Sequence, residues 1–225
     1  MSAPDYGRSF ALWRADCEGP WRAYTRHAFV EALGNGSLPR AAFLTYLRQD
    51  YIFLIHFTRA WSLAVVKAGT LAEMQAASAT VHALLQREMA LHVSICEAAG
   101  IPKAALDATQ ETPQNLAYTR YVLETGFSGD FLDLLAALAP CVLGYGEIGA
   151  RLLAEAKSSA YHDWIQTYGG PEYQQLCRDT GALIDRAVAD RLGSAPESVP
   201  RWRQLAERFA TATRLEAGFW DLGQP

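Results

Sequence analysis

No two cysteines in this chain are close enough in sequence to form a C-x-x-C pair. The four stand at 17, 96, 141 and 177, which argues against a zinc ribbon, a thioredoxin-like pair or a disulfide framework. Positive charge is also scarce. Twenty Lys and Arg face 24 Asp and Glu, for a net charge of −4, and no Lys/Arg run exceeds two. The basic footprint of a nucleic-acid or anionic-membrane binder is missing, so neither partner is expected. Long apolar runs are missing as well. The longest uncharged stretch, Leu134 to Gly146, falls short of the roughly 20 residues that span a bilayer. The N-terminal MSAPDYGRSF has no basic segment followed by an apolar one, so a cytoplasmic protein with reduced thiols is expected. No stretch alternates with period two, no repeat of 20 to 50 residues is visible, and no low-complexity linker divides the chain.

What is present points to helices around a sizeable core. Half of the 225 residues are apolar, and the aromatics number 6 Trp, 10 Tyr and 9 Phe. Helix punctuation divides the chain. Ser37-Leu38-Pro39 opens a segment that Gly69 closes, and Pro39 to Ala68 would be about 45 Å long at 1.5 Å per residue. Thr70 caps a second long helix that Gly100 and Pro102 end. Thr112-Pro113 opens a third, stopping near Gly126. A fourth spans about Asp130 to Lys157, where Pro140 should kink the helix and free a carbonyl one turn earlier. Tyr161 to Thr167 forms a short segment before a turn at Tyr168-Gly169-Gly170-Pro171. Pro171 to Leu192 is helical, Pro196 and Pro200 bracket a loop, and a last helix runs from about Pro200 to Leu222. Phe10 to Leu33 reads as helical, with a break near Gly19-Pro20. The expectation is a single all-α domain over residues 1–225 with seven to nine helices.

Three segments carry candidate chemistry. In the first long helix, Tyr46, Asp50, Phe53, Leu54 and Phe57 share one stripe. An acid in an aromatic stripe is out of pattern, because a lone buried carboxylate is costly. Either Asp50 faces a pocket and accepts hydrogen bonds from a ligand, or it is paired with Arg48, Arg59 or a backbone group. Next, Cys141 follows Pro140 directly, with Tyr145 one turn on and Gly144, Gly146 and Gly149 nearby. The glycines permit close approach of a helix or a ligand. The thiol is either a nucleophile, needing a lowered pKa or a nearby base, or a small core residue. Last, Glu216, Phe219 and Trp220 share a face. A carboxyl on an apolar face has a raised pKa and suits a general acid; otherwise Glu216 is an exposed residue near a helix end. Tyr118 and Tyr168 offer phenolic hydroxyls, although most tyrosines merely pack. Glu88 and His92 stand at i, i+4, a spacing that can chelate, with Glu147, His162 and Asp163 as conceivable further ligands. No second carboxylate–histidine pair stands at the spacing di-iron bundles use, so Glu88 and His92 read as a structural pair and no metal is expected. His27, His56 and His82 read as isolated structural residues.

Together these strings resemble the TenA family, also called thiaminase II or aminopyrimidine aminohydrolase. The resemblance rests on Tyr46-Leu47-Arg48-Gln49-Asp50-Tyr51-Ile52-Phe53-Leu54, on Pro140-Cys141 with Tyr145-Gly146-Glu147-Ile148-Gly149, on Trp164-Ile165-Gln166-Thr167-Tyr168, on Tyr118, and on Glu216 ahead of Phe219-Trp220. It runs from about Phe10 to Asp221. It implies a haem-oxygenase-like helical bundle, a homotetramer, and no cofactor. The implied reaction converts 4-amino-5-aminomethyl-2-methylpyrimidine to the hydroxymethylpyrimidine and ammonia, with thiamine as a second substrate. Cys141 would be the nucleophile and Glu216 the acid. Asp50 would grip the 4-amino group and the adjacent ring nitrogen, and Tyr118, Tyr145 and Tyr168 would supply hydrogen bonds and stacking surface. One departure stands out. Many members have a tyrosine where this chain has Phe53, so stabilisation of the thiolate is expected from elsewhere, such as Tyr145 or a helix end.

Two other readings remain. A metal-dependent or haem oxidase on the same fold would need a full ligand set, and the ligand count argues against it. A non-catalytic pyrimidine-binding or regulatory protein would bind without releasing ammonia.

Overall fold

A computed structural model describes residues 4–223. Among them there is no strand, and the architecture is all-α, as the punctuation implied. The helices are α1 (Arg8–Asp16), α2 (Glu18–Thr25), α3 (Ala28–Asn35), α4 (Arg40–Lys67), α5 (Leu71–Ala83), α6 (Met89–Ala98), α7 (Lys103–Asp107), α8 (Pro113–Ser128), α9 (Phe131–Glu155), α10 (His162–Gly169), α11 (Pro171–Leu192) and α12 (Pro200–Trp220).

Helix α9 is the axle. It packs against α4, α8, α10, α11 and α12, and buried side chains from Tyr6 to Trp220 form one contiguous cluster around it. By length and composition α9 could cross a membrane, yet 94% of its most apolar window is buried inside the protein. The charges that interrupt its apolar run, Glu147 and Arg151, reach outward: Glu147 accepts from Arg14 at 2.8 Å, and Arg151 donates to the Thr25 carbonyl at 2.9 Å. The helix starts at a capping box, in which the Asp130 side chain accepts from the Asp133 backbone and Asp133 accepts from the Asp130 backbone. Asp133 then clamps α9 to α12 through Arg201 at 2.6 Å and Arg208 at 2.5 Å. Through Pro140 the helix runs on as one element to Glu155.

Several boundaries differ from expectation for identifiable reasons. The break in the N-terminal region falls at Cys17 and at Arg26-His27, not at Gly19-Pro20. Pro20 lies in the first turn of α2, where a missing N–H costs nothing because that donor has no helical partner. Ser37 is not the cap of α4; Pro39 holds that position with extended backbone and no side-chain bond. The Thr70 and Thr112 caps are present, each accepting from the backbone three residues on. The helix Thr70 opens is not uniform: Leu84–Glu88 is a π-helical turn between α5 and α6. Such single-turn widenings often occur at functional sites. Helix α8 passes through Gly126 to Ser128, and the short α7 lies between Pro102 and Thr112, where no helix was expected.

The glycines of α9 are spaced for helices rather than for a ligand. A methyl group at Gly144 would strike the Tyr24 ring. One at Gly149 would strike the backbone of Tyr168 and Gly169, so the bare glycine lets α10 lie directly on α9.

Candidate active site

The stripe of α4 is buried as the periodicity implies, and Asp50 is only 3% exposed. Its partner is neither of the arginines considered from the sequence. Asp50 Oδ2 lies 2.5 Å from His92 Nε2 and accepts from the Tyr46 hydroxyl at 3.1 Å. His92 is fixed from its other side, with Nδ1 2.8 Å from the Glu88 backbone carbonyl. Burial alone pushes the His92 imidazole down, but the Asp50 carboxylate outweighs that and holds it above the ordinary histidine value. The chain of contacts continues outward. Tyr46 Oη is 3.3 Å from Tyr145 Oη and accepts from Trp164 Nε1 at 3.3 Å. A carboxylate that costs energy to bury is thus satisfied by partners on α4 and α6, and Tyr46 extends the network to Tyr145 on α9, so polar atoms tie the three helices together inside an aromatic wall.

Cys141 and Glu216 meet on the other side of the same region. Glu216 is 1% exposed, so the reading of it as an exposed helix-end residue fails. Its Oε1 accepts from the Tyr118 hydroxyl at 2.7 Å. Burial pushes the Glu216 carboxyl up to about 8, against the opposing pull of the Tyr118 bond and with a further push from the Asp50 charge. Cys141 is the most exposed of the four buried cysteines, at 8% against 5%, 0% and 0% for Cys17, Cys96 and Cys177. Burial pushes its thiol well up, and the charges of Glu216, Glu88 and Asp50 add to the effect. After burial, the group that acts most strongly on the thiol is Glu216. Tyr145 spends its hydroxyl on Tyr46. Phe53, without a hydroxyl, stacks on Phe57 at 5.2 Å and meets the tilted rings of Tyr118 at 4.9 Å and Phe219 at 5.4 Å.

Tyr168 joins the wall from α10, 4.9 Å from the Tyr145 ring and 4.6 Å from the Trp164 ring. The structure therefore brings together Asp50, Phe53, Tyr118, Cys141, Tyr145, Tyr168 and Glu216 from α4, α8, α9, α10 and α12. It adds residues to which sequence reasoning assigned no role in the site. Tyr46 and His92 complete the Asp50 network. Trp220 stacks on Phe29 at 5.1 Å and lies 5.3 Å from Tyr46, and its buried indole N–H has no partner. Tyr46 was visible on the Asp50 stripe. His92 was visible only as a partner for Glu88, because a contact spanning 42 positions leaves no mark in local spacing.

Glu88 and His92 do not chelate as a pair. Among the described residues, no group of three or more His, Cys, Asp or Glu side chains converges to hold a metal ion. Glu147 is taken up by Arg14 and by Trp21 Nε1 at 3.1 Å, and His162 and Asp163 are exposed. His27 caps α3, and His56 pairs with Glu111 at 3.4 Å.

Glu88 instead lines a cavity of about 710 Å³ between the π-turn, α6, α10 and α11. Leu84, Leu91, Tyr173 and Leu176 give it apolar walls, and Arg87 and Glu172 stand at its rim, joined at 2.8 Å. Tyr173 packs on Tyr168 at 4.9 Å, so the cavity wall and the aromatic wall of the site are continuous.

Fold and site define an all-α bundle that holds a thiol near a carboxyl whose pKa burial raises, inside an aromatic wall. Residues 14–223 match the TENA/THI-4/PQQC family, and the chain belongs to that family. It is 62% identical to a TenA family transcription regulator from Silicibacter sp. over 98% of each chain, with a TM-score of 0.96. It is 35% identical to the aminopyrimidine aminohydrolase of Halalkalibacterium halodurans, over 90% of this chain and 89% of that protein. A hydroxymethylpyrimidine/phosphomethylpyrimidine kinase of Saccharomyces cerevisiae is 27% identical over 89% of this chain, which covers 36% of that longer protein.

Proposed function

We propose that the protein is an aminopyrimidine aminohydrolase that salvages thiamine breakdown products, with 4-amino-5-aminomethyl-2-methylpyrimidine as substrate and thiamine cleaved by the same route. The observation that carries this reading is the contact of Cys141 with Glu216 and of Glu216 with Tyr118. It supports Cys141 as nucleophile and Glu216 as acid, because the Glu216 pKa lies within reach of neutral pH. The name of the Halalkalibacterium relative supports the same chemistry.

An amine on a heteroaryl methylene leaves poorly, because its departure places positive charge beside an electron-poor ring. The Cys141 sulfur adds to the ring and forms a C–S bond, while Glu216 delivers a proton to a ring nitrogen. Aromaticity is lost, and the ring electrons expel the protonated amine as neutral ammonia when the methylene C–N bond breaks. Water then adds to the exocyclic methylene. The C–S bond breaks, the proton returns, and the aromatic hydroxymethylpyrimidine leaves. Glu216 must be neutral for one half of this cycle and charged for the other, which a pKa of about 8 permits. Once its own proton is on the ring, the Glu216 carboxylate receives the thiol proton. Asp50, oriented by His92 and Tyr46, accepts from the 4-amino group. Tyr145, Tyr168 and Trp164 supply the flat walls between which a pyrimidine stacks. We further propose that residues 1–225 act as one domain, that the protein works in the cytoplasm, and that it assembles as a homotetramer.

The test is one-to-one formation of ammonia and hydroxymethylpyrimidine from the aminomethyl compound, with thiamine in parallel. Tight pyrimidine binding with no ammonia release would move the reading to a binding or regulatory role.

A further inference from the structure

Both protein partners of the Asp50 carboxyl meet on the same oxygen. His92 Nε2 lies 2.5 Å from Oδ2, and the Tyr46 hydroxyl donates to Oδ2 at 3.1 Å. Among the described residues none donates to Oδ1, and Oδ1 is not one of the polar atoms sealed in the core without a partner. It is the atom of Asp50 left for a ligand.

The direction of each bond in the network follows from what its groups can do. The Glu88 carbonyl only accepts, so His92 Nδ1, 2.8 Å away, carries a proton. The Trp164 indole only donates, so Tyr46 Oη accepts from it and gives its own proton to Asp50. At 2.5 Å, Nε2 and Oδ2 cannot both present lone pairs, so one proton lies between them. On nitrogen it leaves Asp50 a carboxylate. On Oδ2 it leaves Oδ1 a carbonyl oxygen. In either place Oδ1 carries no proton and can only accept.

We infer that the Asp50–His92 pair selects 4-aminopyrimidines over their 4-oxo counterparts, and that His92 is the positioning residue that keeps Oδ1 an acceptor. The inference rests on the hydrolase reading, in which Asp50 meets the 4-amino group, and extends it to substrate choice. A 4-amino group offers a hydrogen to Oδ1. A 4-oxo group offers lone pairs, and two acceptors would then face each other away from water. The oxo ring does carry an N–H, but one position round the ring, so meeting it would turn the ring relative to Cys141.

His92 does more than hold the carboxyl still. The other ionisable groups within reach of the Asp50 charge are Glu88 beside His92 on α6, Tyr46 on α4, Cys141 and Tyr145 on α9, Tyr168 on α10 and Glu216 on α12, with Tyr24 on α2 behind them. These are acids, phenols and a thiol, and none brings a positive charge. A buried carboxylate among such neighbours takes up a proton once its cation is removed. With Oδ2 occupied by donors, that proton would sit on Oδ1, and the acceptor would become a donor.

The test is His92→Gln, whose side-chain amide can still donate to Oδ2 but has no proton to share. Calorimetry in mildly acidic solution compares binding of 4-amino-5-hydroxymethyl-2-methylpyrimidine and its 4-oxo analogue. The wild type should favour the amino ligand by about a hundredfold or more, and His92→Gln should narrow the preference to within about tenfold. A purely structural partner would weaken both ligands alike, so an unchanged ratio in the folded variant overturns the inference. So does a wild type that binds both ligands equally. Should the variant not fold, nitrogen NMR of histidine-labelled wild type decides. A proton on Nδ1 and a second one shared at Nε2 support the pair, and an Nε2 with no hydrogen-bonded proton overturns it. Ammonia release is assayed separately. A wild type that keeps the amino preference without turnover fails the hydrolase reading alone, and turnover without the preference fails this inference alone.

Discussion

The Tyr118 hydroxyl donates to Glu216 Oε1 at 2.7 Å and joins α8 to α12 across 98 positions of the chain. That bond favours the ionised carboxyl and so opposes the burial that raises its pKa. Tyr118→Phe should therefore move the Glu216 titration upward from about 8, and the alkaline limb of kcat/KM should shift to higher pH as the rate falls. Glu216→Gln should remove the limb and lower turnover by about a hundredfold or more. A pH profile of the three proteins checks this. A limb that moves downward in Tyr118→Phe contradicts the assignment of Glu216 as the acid.

Stability should fall as the solution turns alkaline. Glu216 and Glu88 are raised from 4.5 to about 8 and about 7 in the folded protein, so the folded chain holds their protons more firmly than the unfolded one. Their contribution is complete below pH 4.5 and is lost as the pH climbs through 7 and 8. His92, also raised, acts in the same direction. Glu73 and Asp133 act oppositely. Arg191 holds Glu73 below its usual range, and Arg201 holds Asp133 down against the push of burial, so their contributions are lost on acidification. Thermal unfolding should show its highest Tm in mildly acidic solution and a decline toward alkaline pH that flattens in Glu216→Gln. A Tm that rises steadily into alkaline pH would be incompatible with these shifts.

How much of this was legible in the sequence follows from the range of each interaction. The α4 stripe, the Thr70, Thr112 and Asp130 caps, and the alignment of Glu216 with Phe219 and Trp220 are spaced within a few turns, and local periodicity reports them. The Asp50–His92 bond is a tertiary contact and could not be read that way. Gly19-Pro20 misled because a proline in a first turn and a proline in a helix interior look alike until the cap is known. The π-turn at Leu84–Glu88 interrupts an otherwise regular helical pattern with no glycine or proline to mark it, and the cavity beside Glu88 was hidden for the same reason.

The clamp at Asp133 should be structural and separable from chemistry. Asp133→Ala leaves Arg201 and Arg208 without this shared partner and removes the reciprocal half of the α9 capping box. A loss of about 3 kcal/mol is expected from breaking a buried pair. Denaturant unfolding should show it as a lower midpoint, while kcat of the folded enzyme stays near wild type.

The seat of α10 on α9 should be intolerant of a single methyl group. Gly149→Ala forces Tyr168 and Gly169 outward, which should cost about 1–3 kcal/mol in overpacking. Because Tyr168 moves with that backbone, KM for the pyrimidine should rise beyond what the stability loss explains. Equal KM values in the two proteins would mean that Tyr168 is not part of the binding wall.

The central claim is that the Cys141 thiol is the nucleophile. Ammonia release from 4-amino-5-aminomethyl-2-methylpyrimidine, measured for wild type, Cys141→Ala and Cys96→Ala, tests it most directly. All four cysteines are buried and unpaired, so the Cys96 variant controls for loss of a core thiol. The account predicts steady turnover in the wild type and in Cys96→Ala, and none in a folded Cys141→Ala. Turnover that survives in Cys141→Ala would contradict it.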